Sequence, residues 1–353
     1  MQLESIEFSF LSIFTLITFF IFLMVSKYSY KIRKGALLDK DFSKPQAFHR
    51  FAISRSGGIA GIISLNIFFL IYFLLYKNIL FEYIVLCNLM FFIGFLDDFK
   101  IKISPFKRLF LMIIFLFFSI DALSLEISNI DILFLIDLLQ IKFFSVIFVL
   151  LCFLFVINGA NLIDGFNGLL TINLVIINLI LLYINISSGN NEFSIFLSAQ
   201  IIILLSFLLF NFPNAKIFLG DSGSYVMGTL VSLNSIITNN LNPTYSSFFF
   251  CTILFYLFFE VLFSFLRKFI QGKSPVQPDN KHLHMLIYER ISLVFGKYKS
   301  NYINSIIINL VYLLLVLPAL IFAKDPVISR YWFFSLIPIY LFIYLRLYRL
   351  TKN

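Results

Sequence analysis

The strongest constraint on the fold is a series of apolar runs, each about as long as the roughly 20 residues that a helix needs to cross a bilayer. Eleven such runs are centred near residues 16, 67, 88, 113, 150, 177, 203, 231, 255, 313 and 339. The weakest are the third, which runs into Asp97, and the eighth, which carries Ser232, Asn234 and Ser235. Strands of a membrane β-barrel would be shorter and would alternate apolar with polar residues. The sequence therefore predicts an all-α, polytopic membrane helical bundle of about eleven transmembrane helices, which forms a single domain over residues 1–353.

Composition excludes a water-soluble globular protein. Hydrophobic residues make up 60% of the chain and charged residues only 13%, whereas average globular domains are about 45–50% apolar and about 25% charged. The cysteines Cys87, Cys152 and Cys251 lie inside apolar runs and show neither disulfide nor zinc-ligand spacing. No nucleic acid partner is expected, because membrane topology accounts for most of the net charge of +9.

The distribution of lysine and arginine predicts which loops face the cytoplasm, since cytoplasmic loops carry the excess of basic residues. If the chain starts outside and ends inside, 23 of the 27 basic residues lie in the inward-facing segments. Those segments are 26–56, 97–108, 158–167, 211–224, 267–302 and the tail from Arg346. The five loops are therefore predicted to form one cytoplasmic face, where basic residues also suit anionic lipid headgroups.

Four polar clusters interrupt the apolar runs, and all four lie in these inward-facing loops. The first contains two adjacent carboxylates, Asp97 and Asp98, followed by Lys107 and Arg108. Adjacent carboxylates at the end of an apolar helix repel each other and lose solvation, so they persist most easily beside a cation. A metal ion bound to phosphate would be such a cation, and the alternative is a plain helix end in water.

The second cluster has a polar residue at every third position, Asn158, Asn161, Asp164 and Asn167. On a helix this spacing would make one broad polar face in an apolar bundle. Such a face is expensive beside lipid, which favours a function over a structural role. The glycines that follow Asp164 and Asn167 would let a ligand or another backbone approach closely.

The third and fourth clusters point to phosphate. Residues 211–224 contain Asn211 and Asp221, and Asp221 is flanked by glycines and small hydroxyl residues at the start of the eighth span. Free N–H groups and the positive helix end would suit phosphate there, although an ordinary N-cap Asp is the simpler explanation. The fourth cluster places His282 and His284 in a long basic loop. With no third ligand nearby zinc is poorly supported, and hydrogen bonding to phosphate is the milder functional interpretation.

Taken together, the clusters predict a site made of hard oxygen ligands with a basic rim. Carboxylate and amide oxygens suit Mg²⁺, or Mn²⁺ in its place, together with a diphosphate. A channel or transporter would instead carry ionisable groups along a path near the bilayer midplane. Only Glu260, inside the ninth span, fits that second pattern.

At these clusters the sequence resembles the polyprenyl-phosphate N-acetylhexosamine-1-phosphate transferases, a family related to phospho-MurNAc-pentapeptide translocase. The resemblance runs from His49 and Arg55-Ser56-Gly57-Gly58 to His284, with four motifs in family order. It implies an enzyme that transfers an N-acetylhexosamine 1-phosphate from a UDP-sugar to undecaprenyl phosphate and releases UMP. It also implies the bacterial cytoplasmic membrane, an active site facing the cytoplasm, the start of O-antigen or another cell-envelope polysaccharide, and a homodimer as a candidate assembly.

The resemblance implies roles for individual residues. Asp97 and Asp98 match the acidic pair and, with Asp164, are the catalytic candidates. Asp221 matches the aspartate that binds Mg²⁺, which it would share with Asp97 or Asp98. Glu260 matches an acidic position that the family also keeps. The predicted substrate-binding residues are Asn158, Asn161, Asn167, Asn211, Lys107, Arg108, His282 and His284.

Two positions depart from the family pattern. Asn167 stands where most bacterial members of the family have an Asp. The eukaryotic branch has an Asn at this position, so activity need not be lost, but a base or metal role for Asn167 is in doubt. Met285 stands where a further histidine is usual, which argues against the peptidoglycan enzyme and for the branch that uses UDP-N-acetylhexosamines. An inactive family member acting as a scaffold is one alternative, and a transporter or flippase of lipid-linked sugars is another.

Overall fold

Twelve α-helices account for most of the residues that this computed structural model describes, which are 2–40, 52–101, 103–274 and 279–352. In chain order they are α1 (Gln2–Tyr28), α2 (Gly57–Tyr76), α3 (Phe81–Asp98), α4 (Pro105–Ala122), α5 (Leu133–Leu139), α6 (Lys142–Ile163), α7 (Leu169–Ser187), α8 (Asn191–Asn211), α9 (Gly220–Leu241), α10 (Ser247–Ile270), α11 (Leu283–Val316) and α12 (Pro326–Lys352). The prediction of an all-α, polytopic membrane bundle is confirmed.

Each of the eleven predicted spans falls in a separate helix, and the short α5 is the additional one. Eight of the described helices are long and apolar enough to cross a membrane, namely α1, α2, α6, α7, α8, α10, α11 and α12. The other three, α3, α4 and α9, are the spans that carry the acidic pair, the basic pair and the Gly-Asp cluster. The acidic pair, the basic pair and Asp221 therefore lie on helices outside the eight candidate membrane spans.

Helix α9, which includes one of the two weakest predicted spans, lies in the interior of the bundle against α2, α3, α6, α7 and α10. Its buried Asn234 accepts a hydrogen bond from the Tyr83 hydroxyl at 2.8 Å and donates to Asn178 at 3.0 Å. It also exchanges hydrogen bonds with the Gln200 amide. A polar helix is stable here because neighbouring helices, and not lipid, satisfy its side chains.

The predicted polar face on one helix is wrong. Helix α6 ends at Ile163, so Asn158 and Asn161 are helical, whereas Asp164 and Asn167 lie in the turn that follows. Gly168 ends this turn with φ +78°, a left-handed conformation that glycine adopts without strain. The two glycines that were expected to admit a ligand thus lie in a turn that redirects the chain into α7.

The extent of the long loop 267–302 is also corrected. Helix α10 continues to Ile270 and α11 already begins at Leu283, so much of the predicted loop is helical. Helix α11 breaks at Gly296, where φ is 73° and ψ is 156°. The histidines therefore stand at the N-terminus of a helix, which allows their neighbours to cap it.

A small sheet joins the start of α2 to the start of α9. Strand β1 (Leu38–Asp39) pairs antiparallel with β2 (Ile53–Ser54), and Ser54 also forms a parallel bridge with Ile217. Gly57 N–H continues this pairing by donating to the Phe218 carbonyl at 2.8 Å. The sheet brings the residue after β2, Arg55, to the N-terminus of α9. His49 lies outside the described residues.

Candidate active site

The two members of the acidic pair have different surroundings, and Asp98 is the buried one. It is 1% exposed and accepts hydrogen bonds from the backbone N–H groups of Asp221 (3.0 Å) and Ser222 (2.9 Å). The Ser222 hydroxyl donates a third bond at 2.6 Å. A side chain at Gly220 would collide with this carboxylate. The helix end that was expected to bind phosphate, or to be capped by Asp221, is therefore capped by Asp98 from a neighbouring helix.

The other member, Asp97, shares an arginine with Asp221. Arg108 Nη1 lies 3.1 Å from Asp97 Oδ2 and also hydrogen-bonds to Asp221 Oδ2. The side chains of Asp97 and Asp221 are 29% and 18% exposed, respectively. Two carboxylates thus converge on one cation at a position that solvent can reach.

A second arginine, Arg55, lies near the other carboxylate oxygen of Asp221, the one that Arg108 does not contact. Arg55 Nη1 lies 4.0 Å from Asp221 Oδ1 and 3.7 Å from Asp98 Oδ1. Asp39 of β1 fixes the guanidinium through hydrogen bonds from Nη2 at 2.7 Å and from Nε at 3.1 Å. Arg55 had no predicted role of its own, and its only signal was its place just before the Ser-Gly-Gly run.

Asp164 contributes a further carboxyl group from the turn after α6. Burial raises its pKa above the usual range of an aspartate, and the negative charges of Asp221 and Asp98 raise it further. A carboxyl group with a raised pKa holds its proton more readily and can then donate a hydrogen bond.

Asn158 and Asn161, on the last turns of α6, have different partners. The Asn158 amide donates to the Leu154 carbonyl of its own helix at 2.7 Å. The Asn161 amide donates to Ser224 Oγ at 2.9 Å, and this hydroxyl donates in turn to the Asp221 carbonyl at 3.2 Å. Asn161 therefore joins α6 to the first turn of α9, whereas the Asn158 side chain bonds within α6.

Asn167 and Asn211 hold two neighbouring turns together. The buried Asn211 accepts a hydrogen bond from Gly168 N–H at 2.7 Å and donates to the Ile217 carbonyl at 3.0 Å. The Asn167 side chain donates to the Pro213 carbonyl at 2.8 Å. An ionised aspartate has no donor and would not make this bond, which explains an asparagine at this position. Both amides are engaged with backbone groups of the protein.

The predicted histidine loop is organised by a second buried carboxylate, Glu260 of α10. Its Oε1 accepts a hydrogen bond from Leu283 N–H at 3.1 Å and lies 3.2 Å from His282 Nδ1, and its Oε2 accepts from the Tyr340 hydroxyl at 2.7 Å. His282 Nε2 lies 3.3 Å from Asp279 Oδ1. Glu260 thus caps α11, and both ring nitrogens of His282 face carboxylates.

His284 is buried beside this pair and has a ring nitrogen to spare. Its ring stacks on His282 at 5.5 Å, and its Nδ1 lies 3.3 Å from the Tyr256 hydroxyl. Its Nε2 is buried and has no hydrogen-bond partner among the described residues. Phe166, in the turn that carries Asp164, packs edge-on against the ring at 5.8 Å. Met285, the departure from the family pattern, is buried in the core.

The basic pair at the start of α4 is also divided. Arg108 contacts the carboxylates, whereas the Lys107 side chain is exposed. The backbone N–H of Lys107 donates a hydrogen bond at 3.4 Å to Ser104 Oγ, which caps α4. The structure therefore brings together Asp97, Asp98, Asp221 and Arg108 with the unpredicted Arg55.

Asp97 and Asp221 are the residues that fit a divalent metal. They already converge on one positive group, and Mg²⁺ is commonly held by one or two carboxylates together with water and substrate phosphates. Groups of three or more His, Cys, Asp or Glu that could hold a metal ion do not occur in the part of the chain that the structure describes. Asp98, a predicted ligand, fits less well because both of its oxygens are engaged by the N-terminus of α9.

Comparison with known proteins places this architecture in a family. Residues 80–239, which carry the first three clusters, match the glycosyl transferase family 4 model. The chain is 30% identical over 235 residues to the phospho-N-acetylmuramoyl-pentapeptide-transferase of Dictyoglomus turgidum, covering 63% of this chain and 73% of that protein. The chain belongs to glycosyl transferase family 4.

Relatives from a second branch of glycosyl transferase family 4 are similar as well. The chain is 27% identical over 282 residues to the undecaprenyl-phosphate alpha-N-acetylglucosaminyl 1-phosphate transferase of Thermotoga maritima, covering 79% of this chain and 81% of that protein. It is 30% identical over 195 residues to a probable undecaprenyl-phosphate N-acetylglucosaminyl 1-phosphate transferase of Bacillus subtilis, covering 54% of this chain and 53% of that protein. The prediction of a membrane-bound phosphotransferase is confirmed.

Proposed function

We propose that the chain transfers an N-acetylhexosamine 1-phosphate from a UDP-sugar to undecaprenyl phosphate, giving an undecaprenyl-diphospho-sugar and UMP. The observation that carries the proposal is the convergence of Asp97 and Asp221 on Arg108, with Arg55 at the other oxygen of Asp221. Carboxylates suit a metal ion and guanidinium groups suit phosphate. The relatives from Thermotoga maritima and Bacillus subtilis are named for such a transfer to undecaprenyl phosphate.

The chemistry needs little proton transfer. An oxygen of the lipid phosphate would bond to the β-phosphorus of the UDP-sugar, and the bond from that phosphorus to the α,β-bridging oxygen would break to release UMP. A phosphate monoester has a second pKa near 6 and is therefore mostly ionised at neutral pH. Asp97, the more exposed carboxylate of the acidic pair, would orient this nucleophile and accept any residual proton.

Electrostatic stabilisation is the main task of the site. A Mg²⁺ ion, or Mn²⁺ in its place, would be held by Asp97 and Asp221 and would neutralise the diphosphate and the departing UMP. Arg55 and Arg108 would bind phosphate oxygens, since a guanidinium can contact two of them at once. Asp164 would donate a hydrogen bond to the nucleotide sugar from its protonated carboxyl, with Asn161 beside it and His284 Nε2 as a further polar contact.

The setting that we propose is the bacterial cytoplasmic membrane, with the site facing the cytoplasm and the product entering O-antigen or another cell-envelope polysaccharide. The excess of basic residues on the loops that carry the site supports this orientation. Relatives of both branches match the chain, so the branch is inferred from Met285, which replaces a histidine that the peptidoglycan enzymes have. Membership of a transferase family favours this function over a flippase.

The test is release of UMP by the purified protein in detergent with undecaprenyl phosphate, Mg²⁺ and a panel of UDP-N-acetylhexosamines. We expect Asp221→Asn to lower turnover by about 10²–10³-fold, because a bound metal supplies several kcal/mol of transition-state stabilisation. The control is Asp121→Asn, an exposed carboxylate at the opposite end of α4 that pairs with Lys142. UMP release by none of the sugars would refute the proposed reaction, and near-normal turnover of Asp221→Asn would refute the metal assignment.

A further inference from the structure

We propose that Arg108 is an internal counter-ion that competes with the divalent metal for Asp97 and Asp221, and that metal binding releases its guanidinium to a substrate phosphate. The inference rests on the proposed function, because it assumes that the metal binds at these two carboxylates. It adds that one of the protein's own cations already pairs with both carboxylates.

The contacts of Arg108 lead to this inference. A single nitrogen, Nη1, contacts both Asp97 and Asp221, so the guanidinium stands where a shared metal ion would stand. Its Nε is buried without a hydrogen-bond partner in the described part of the chain. The side chain is thus held at this position by the same two carboxylates that a metal would take.

Arg55 provides the internal comparison. It also lies near Asp221, but at 4.0 Å and at the other oxygen, and Asp39 holds its guanidinium through two hydrogen bonds. Arg55 therefore has an anchor that does not depend on the metal-binding oxygens. When a metal binds, we expect Arg55 to stay in place and Arg108 to move.

Electrostatics explains why the two cations exclude each other. A divalent ion and a guanidinium at hydrogen-bond distance from the same oxygens would repel strongly, because the site is only partly exposed to screening solvent. The displaced guanidinium has a planar fork of donors that matches phosphate oxygens. Substrate phosphates bound to the metal would provide that partner, which makes metal and nucleotide-sugar binding cooperative.

The experiment is a titration of the detergent-solubilised full chain with Mn²⁺ in the absence of both substrates, with free Mn²⁺ measured by electron paramagnetic resonance. We expect Arg108→Gln to bind Mn²⁺ at least about tenfold more tightly than the wild type, which corresponds to about 1.4 kcal/mol. The matched control is Lys107→Gln, which removes the same charge at the adjacent exposed position and should change the affinity by less than about twofold. Arg55→Gln should fall between the two.

The outcomes distinguish this inference from the proposed function. Equal or weaker Mn²⁺ binding by Arg108→Gln, or no binding by either protein, would overturn the competition. UMP release is measured separately. Tighter Mn²⁺ binding without UMP release by the wild type would refute the proposed reaction and leave the competition standing.

Misfolding of Arg108→Gln must be excluded as the cause of a changed Mn²⁺ affinity. Its melting temperature and size-exclusion profile establish whether it is folded. If it is not, Arg108→Lys keeps the charge but loses the planar fork of donors. This variant should bind Mn²⁺ more tightly than the wild type and Lys107→Gln, but by less than about tenfold. At saturating metal, Arg108→Gln should also raise the KM for the UDP-sugar, because the released guanidinium is missing.

Discussion

Two helix N-termini in this protein are capped in the same way, by a buried carboxylate from a neighbouring helix. Asp98 of α3 caps α9, and Glu260 of α10 caps α11. Each of these carboxylates is 1% exposed. Each also accepts a hydrogen bond from a hydroxyl group, from Ser222 at the first end and from Tyr340 at the second.

The surroundings of the two caps differ. Around Asp98 the carboxylates of Asp97 and Asp221 are partly exposed, and two arginines pair with them in the described part of the chain. Around Glu260, the side chain of His282 is 3% exposed and lies between two carboxylates. The same kind of cap therefore lies beside a partly exposed cluster of charges at α9 and beside a buried histidine paired with two carboxylates at α11. We infer that the region around Asp98 carries out the reaction and that Glu260 and His282 keep the segment before α11 in position.

The sharpest test of this comparison replaces each cap by its amide. Asp98→Asn and Glu260→Gln should both lower stability by about 1.5–3 kcal/mol, since each loses charge-assisted hydrogen bonds to buried donors. Turnover of the folded protein should fall by about 100-fold for Asp98→Asn, because α9 then presents Asp221 less accurately, and by less than about tenfold for Glu260→Gln. Thermal unfolding and UMP release measure the two effects, and a larger loss of turnover for Glu260→Gln would reverse the comparison.

The histidine pair tests the difference on a smaller scale. His284→Gln should raise the KM for the UDP-sugar by about tenfold, the worth of roughly one hydrogen bond, because His284 Nε2 makes no bond within the described structure. It should lower the melting temperature less than His282→Gln does, because the only hydrogen-bonding contact of its ring in the described structure is the one to the Tyr256 hydroxyl. His282→Gln should instead lower the melting temperature and leave the KM for the UDP-sugar nearly unchanged, because both ring nitrogens of His282 face carboxylates of the protein. Steady-state kinetics beside thermal unfolding would show it, and identical behaviour of the two variants would contradict it.

The smallest expected effect is on the pH dependence of stability. The pKa of Asp164 is raised in the folded protein, by burial and by the charges of Asp221 and Asp98. The wild type therefore loses stability as pH rises from the pKa of an unfolded aspartate, about 3.9, towards the raised value. Asp164→Asn has no such loss, so its melting temperature in EDTA should gain on that of the wild type as pH rises above about 4. Each kcal/mol would appear as about 2–4 °C, and a melting temperature of Asp164→Asn that falls further behind that of the wild type as pH rises would refute this.

The sequence predicted the helices better than it predicted their termini. The eleven apolar runs correspond to eleven helices because the cost of leaving backbone groups unpaired in lipid depends on each segment alone. The end of α6 was misplaced, because a polar residue at every third position is compatible both with a helix and with a turn. Glycine at position 168, with its positive φ, decides for the turn.

For the candidate site, the sequence named most of the residues but not their division of labour. Asp97 and Asp98 are neighbours with the same chemistry, yet one is partly exposed beside Arg108 and the other is buried against the N-terminus of α9. Adjacent residues near the end of a helix point in directions about 100° apart, so only the position of the next helix decides which of them it covers. Arg55 was overlooked for a related reason, since its partners Asp39 and Asp221 lie far from it in the chain.

By itself, the sequence determined that this chain is a polytopic helical bundle, which of its segments form long apolar helices, and that acidic, amide and basic groups gather in the segments between those helices. These properties follow from composition and from the order of residues, because lipid and water partition each segment locally. The tertiary structure decided which carboxylate caps a helix and which faces an arginine, that Asn211 and Asn167 join turns, and that one histidine nitrogen has no partner among the residues described. Those outcomes depend on contacts between helices distant in sequence, where a few ångströms separate a capping group from a binding group.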